Sequence, residues 1–185
     1  LVAKGNGANT LLEGNVTCAD NDEIAVFFPY QNSGGVGNQH KVAIDLNKSN
    51  LSENGHPVEL PQDGTLENLK YFDFSYGTTR VRITPGSNNV TGNVQMKKQY
   101  AVLRLKFKAD GQELKNLKKL TISNVITSGR FDMSTGQLIE TQKGDITITP
   151  SAPLDSFVVA VFPETHFRPT FTVVGSDNKT YRFSV

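Results

Sequence analysis

The residues of this chain with the chemistry to hold a metal or activate a nucleophile are few: three histidines, one cysteine and a short acidic run. His40, His56 and His166 are far apart, and no two stand at a metal-ligand spacing. Cys18 has no second thiol near it. His40 and His56 sit in polar stretches and read as solvated side chains, and Cys18 reads as an idle or buried thiol. His166 lies in the turn Pro163–Pro169, with Glu164 as a neighbour able to pair with it. Asp20, Asn21, Asp22 and Glu23 bring oxygen ligands together, which hard cations favour. They lack the glycine and the spacing of a calcium loop, so they read as a solvated turn ahead of a strand. No Gly-x-Ser-x-Gly elbow, phosphate-binding loop or dinucleotide fingerprint occurs, and Gly5 and Gly7 follow no strand. No nucleophile stands with a base. The sequence therefore assigns no catalytic residue, no metal ligand and no cofactor, and the expectation is a protein that is not an enzyme.

Tyr71, Phe72, Phe74 and Tyr76 form the densest aromatic group. Exposed, such rings would bind a sugar face or a peptide. Buried, each would stabilise a core by roughly 3–5 kcal/mol against truncation. Core packing is the favoured reading. A surface glycan- or ligand-binding module using these four residues is the alternative, and their solvent exposure separates the two.

The frame that must position any site is β-rich. With 185 residues the chain suits one domain, two small ones being the other possibility, and it can bury a core without disulfides. A formal net charge of +1, with basic residues scattered along strands and turns, offers no field for nucleic acid. No stretch approaches the roughly 18 apolar residues of a spanning helix.

The stretch Met96–Gly136 is the most informative. Ala101, Leu103, Leu105 and Phe107 alternate with Val102, Arg104, Lys106 and Lys108, so the strand has one buried and one wet face. It turns at Asp110-Gly111 and returns as Lys119–Asn124, which predicts an antiparallel pair over one side of a core. Leu103, Leu105, Phe107, Leu120 and Ile122 are the expected core scaffold. Further strands are expected at Ile24–Phe28, Lys41–Leu46, Tyr71–Tyr76, Thr79–Ile83, Gly129–Met133, Gly136–Ile139, Asp145–Thr149, Phe171–Val174 and Tyr181–Val185. Phe157–Phe162, apolar on both faces, reads as a central strand. Turn pairs separate them: Gly34-Gly35, Asn54-Gly55, Asp63-Gly64, Pro85-Gly86 and Asp110-Gly111. Helix is limited to one or two turns at Leu66–Tyr71 and Glu113–Leu120, and Gln31–Leu69 is loop-rich. The fold class is all-β, an antiparallel Greek-key β-sandwich with little helix.

The order of segments from about residue 20 onward resembles the fimbrillin-like proteins of Bacteroidales, which build type V pili. The residues that carry the likeness are Asp22–Phe27, Asp63–Gly77, Ala101–Phe107, Leu120–Val125, Gly129–Gly136, Phe157–Pro163 and Lys179–Val185. The resemblance implies a transthyretin-like sandwich, secretion as a lipoprotein and display at the outer membrane or in a fimbrium. It implies head-to-tail assembly with other pilin subunits by donor-strand exchange, and adhesion to a host or bacterial surface receptor or glycan. Residues 1–185 are then one fimbrillin-like domain, an N-terminal domain or fragment of a longer protein. Maturation in that family cuts after an early arginine. The first arginine here is Arg80, which implies either a start after such a cut or a different processing route.

Overall fold

Five consecutive apolar residues, Phe157–Val161, are all buried. The computed structural model describes residues 2–5, 9–29, 40–49, 52–53, 56–57 and 59–185. The expected turns at Gly34-Gly35 and Asn54-Gly55 lie outside the described residues, as does Gly7.

The strands run β1 (Val2–Ala3), β2 (Leu12–Glu13), β3 (Glu23–Phe28), β4 (Lys41–Asp45), β5 (Ser52–Glu53) and β6 (His56–Pro57). A 3₁₀-helix, Glu67–Phe72, precedes β7 (Ser75–Arg80), β8 (Arg82–Ile83), β9 (Val90–Thr91) and β10 (Lys97–Lys98). Then come β11 (Ala101–Leu105), β12 (Lys108–Ala109), β13 (Gln112–Glu113), β14 (Leu117–Asp132) and β15 (Gln137–Ile148). Last are β16 (Phe157–Val161), β17 (Thr170–Gly175) and β18 (Thr180–Ser184). Among the described residues the chain is all-β apart from one short helix, its strand pairs are antiparallel, and it forms a β-sandwich.

The residues fall into two compact units. The smaller comprises Leu1–Ile24 and Thr78–Gln95. Here β1 pairs β2, and β8 pairs β9 across the Pro85-Gly86 turn. Val81 is the buried hydrophobic residue among those described in this unit. The acidic run is a turn tied to the neighbouring strand. Asn21 takes a positive φ, the Asp22 carboxylate accepts the Ala19 N–H (2.7 Å), and Asp20 accepts the Ile83 N–H (2.9 Å). Asp20 also lies 3.8 Å from the Arg82 guanidinium, and no group of three potential metal ligands occurs among the described residues.

The larger unit comprises Ala25–Gly77 and Met96–Val185. One sheet has the order β15-β14-β17-β18, with β4 also on β14. The facing strands are β11 and β16, and a further sheet has the order β10-β7-β3. β14 turns Leu117, Leu120 and Ile122 inward, then Val125, Thr127 and Phe131. The phase of burial moves by one residue at Asn124, where φ is 65° and the register with β15 shifts. A bulge of this kind bends and twists a long strand, which lets 16 residues keep one apolar face on a closed core.

Several expectations are corrected. The strand Ala101–Leu105 does not pair with Lys119–Asn124; it pairs with β16, in register Ala101↔Val161 to Leu105↔Phe157. The Asp110-Gly111 turn closes only β12 on β13, and the chain then crosses to the other sheet. The cause is the core: Leu103 and Leu105 cover it from one side, Leu120 and Ile122 from the other. Glu113–Leu120 is strand and crossover rather than helix. Asn116 has a positive φ (53°), and Leu117 exchanges two backbone hydrogen bonds with Leu154, both 2.8 Å. The aromatic segment Tyr71–Tyr76 is not one strand, since the 3₁₀-helix runs through Phe72 and β7 begins at Ser75. Thr79–Ile83 is broken at Val81, whereas Lys119–Asn124 and Gly129–Met133 are parts of a single β14.

Candidate functional site

The second edge of β16 is closed by a loop. Val158 donates its N–H to the Gly64 carbonyl (2.8 Å), and the buried Gln62 side chain stands in for a strand beside Ala160. The Ala160 N–H donates to Gln62 Oε1 (2.8 Å). Gln62 Nε2 donates to the carbonyls of Ala160 (3.1 Å) and Leu46 (2.9 Å). Gly64 holds a φ of +84°, and a Cβ there would lie 2.6 Å from the Phe157 ring, so only glycine lets the loop come this close.

Among the described residues β11 has no such cover. Its first edge is bonded to β16, and among the described residues no strand or backbone hydrogen bond meets its second edge. The terminal strand of the other sheet, β18, likewise pairs only with β17 among the described residues. Phe107 joins these two edges. Two residues beyond β11, its ring lies 5.2 Å from that of Phe183 on β18 and 6.0 Å from that of Phe171 on β17. The inward residues Ala101, Leu103 and Leu105 are half-buried, while Val102 is 47% exposed and Arg104 and Lys106 are exposed. An edge whose N–H and C=O groups have no partner among the described residues, beside an apolar inner face, has the chemistry to accept an extended segment. The backbone gives continuity, and alternate side chains give selectivity.

The expected scaffold residues lie as follows. Phe107, Leu120 and Ile122 are buried, and Leu103 and Leu105 are partly buried against the same core. The four aromatic residues separate. Phe72 and Phe74 are fully enclosed, whereas Tyr71 and Tyr76 are partly buried and packed on the core. The Lys70 ammonium lies 5.0 Å over the Tyr71 ring. These four rings do not make one open platform. An apolar cleft of about 190 Å³ is lined by Ile44, Phe131, Leu138, Phe162 and Pro163, with Lys98 and Gln99, and none of the four rings takes part in it.

Tyr76 instead fastens the β14–β15 hairpin. Its ring packs on Phe131 (5.0 Å), and its hydroxyl donates to the Met133 carbonyl (2.7 Å). Gly136, with a φ of +69°, leaves the space where a Cβ would come within 2.9 Å of that ring. The Ser134 hydroxyl and amide both donate to Asp132 and hold its carboxyl below the usual carboxylate range. Tyr76→Phe keeps the ring and removes the hydrogen bond, so it is expected to cost about 1 kcal/mol in urea unfolding. A loss beyond about 3 kcal/mol would mean that the hydroxyl does more than tie the turn.

Nearby, Asp73 receives Lys98 and the Ser75 hydroxyl. Burial pushes the Tyr100 phenol up, and the charge and hydrogen bond of Asp73 add to the shift.

Glu164 does not serve His166, which is exposed. Its side chain, 7% exposed, pairs with Lys143 (2.7 Å) and accepts the Ile126 N–H (2.8 Å). It fills the gap on β14 between the stretch bonded to β17 and the stretch bonded to β4. Glu164→Ala would leave that N–H unpaired and is expected to cost about 2–3 kcal/mol, whereas Glu164→Gln, which can still accept it, should cost less. Equal losses in the two variants would show that the charge pair dominates. The bracing roles of Gln62 and Glu164 are not legible in sequence because one polar residue in a loop has no period. The signals present were the Asp63-Gly64 turn and the strand-ending Pro163.

No protein-family model matches the chain, and no curated protein matches it. The crystal structure of a putative cell adhesion protein from Bacteroides ovatus matches with a TM-score of 0.55 over 95% of this chain, at 18% identity. This chain spans 63% of that protein. The likeness is one of fold. No helix among the described residues is long and apolar enough to cross a membrane.

Proposed function

We propose that this chain is a structural subunit of a bacterial cell-surface fimbria or fimbria-like adhesin, assembling by donor-strand exchange and supporting cell adhesion. The observation that carries the reading is the flank on which β11 and β18 each present a backbone edge without a partner among the described residues, pinned together by Phe107. Two further facts support it. The ordered segments from Asp22 to Val185 resemble fimbrillin-like proteins, and the fold is shared with a putative cell adhesion protein of Bacteroides ovatus.

In this reading the chain is one domain of a longer, exported lipoprotein, displayed at the outer membrane or in a fimbrium. Its partners are further subunits, joined head to tail. A strand donated from one subunit to the next makes a heterologous contact that does not close, and such contacts propagate as filaments. The role is mechanical and adhesive, with no turnover of substrate. The test uses full-length protein taken from the cell surface. The expected result is a detergent-resistant ladder of oligomers together with filaments in electron micrographs, and end sequencing that identifies the exchanged strand. Monomeric surface protein with no removed or donated strand would refute strand exchange.

A further inference from the structure

We propose that the strand accepted at the free edge of β11 is acidic: an extended segment of another chain whose outward side chains are carboxylates facing Arg104 and Lys106. The inference rests on reading that edge as a site of strand addition, and it names the chemistry of what is added.

On the bonded side of β11, Val102 stands across from Ala160 and Arg104 across from Val158, so β16 offers no carboxylate to this row. Among the described residues neither Arg104 nor Lys106 has an ion-pair partner, and both are exposed. Further along, Lys108 differs, because it stands opposite Glu113 in the β12–β13 hairpin. Along β11 and the residue after it, Arg104 and Lys106 thus carry positive charge that no carboxylate among the described residues meets.

A strand laid along that edge would bring its outward side chains to within roughly 5 Å of Val102, Arg104 and Lys106 at the Cβ atoms. Opposite charges at that spacing stabilise a pair of strands, and like charges destabilise it. The same row opposes pairing of β11 with a second β11, since a pair centred on Arg104 would set guanidinium against guanidinium. The inward side chains of the added strand would lie beside the half-buried Leu103 and Leu105, so they are apolar. The expected partner pattern is apolar and acidic residues in alternation, with an apolar outward residue against Val102.

The test offers the intact chain two short synthetic peptides, one alternating valine with glutamate and the other valine with lysine. Fluorescence anisotropy reads affinity, and amide chemical shifts locate the site. The glutamate peptide is expected to bind about tenfold or more tighter, shifting the amides of β11, with the gap narrowing at high salt. Arg104→Glu combined with Lys106→Glu changes two exposed residues and should reverse the preference. Equal binding of both peptides at β11 would overturn the acidic preference and leave strand addition standing. Binding of neither would overturn strand addition at this edge, and the acidic preference with it.

Discussion

Gln62→Leu is expected to lower the free energy of unfolding by about 3 kcal/mol or more, because leucine fills the space but meets none of the polar groups. Three backbone atoms lose their partner: the N–H of Ala160 and the carbonyls of Ala160 and Leu46. Leu46 and Ala160 are both fully buried, so water cannot take over without opening the loop. An unsatisfied buried backbone group costs about 1–3 kcal/mol, and the three share one side chain. Gln62→Glu should also destabilise, since a carboxylate can accept from Ala160 but would face two carbonyl oxygens. Equilibrium urea unfolding of both variants checks this. A loss under about 1 kcal/mol for Gln62→Leu would mean that the Gly64–Val158 hydrogen bond seals the edge of β16 without help.

The second large effect is expected at Phe107. Truncation of a buried phenylalanine costs about 3–5 kcal/mol. Phe107 also makes ring contacts with Phe171 and Phe183, and each such pair adds about 0.5–1.5 kcal/mol beyond area burial. Phe107→Ala is therefore expected to fall at the upper end of that range. Its effect should also be directional. β18 has one partner strand among the described residues, so loss of the ring beneath Phe183 should speed amide exchange in β18 more than in β14, which is bonded on both sides. Uniform acceleration across the sheet would indicate a general loss of stability and would remove Phe107 from its role as the pin of this flank.

These two residues mark what the sequence could and could not convey. Phe107 was legible as core because it continues the alternation of Leu103 and Leu105. The buried run Phe157–Val161 was legible because both of its faces are apolar. The neighbour of β11 was not legible: period-two alternation tells which face of a strand is wet and says nothing of which strand lies beside it. The nearest later strand in sequence is the partner that alternation suggests, whereas the core needs that strand on the opposite sheet. The length of β14 was hidden for a related reason. Asn124 moves the inward phase from Leu120 and Ile122 to Val125 and Thr127, and a shift of phase reads in sequence as the end of a strand. Tyr71–Tyr76 misled through its aromatic density, which suits a strand as well as it suits a helical turn feeding two rings into a core.

The open edges themselves have no sequence signal. They follow from topology, since among the described residues β11 and β18 are the strands left with one partner once β16 and β17 have been paired. The most direct test of the central claim is amide hydrogen exchange across β11 and β18, measured on the isolated chain and on the assembled full-length protein. If the flank accepts a strand, the edge-facing amides of β11 exchange freely in the isolated chain and become protected on assembly. Assembled protein in which the amides of both edges exchange as fast as in the isolated chain would contradict the account.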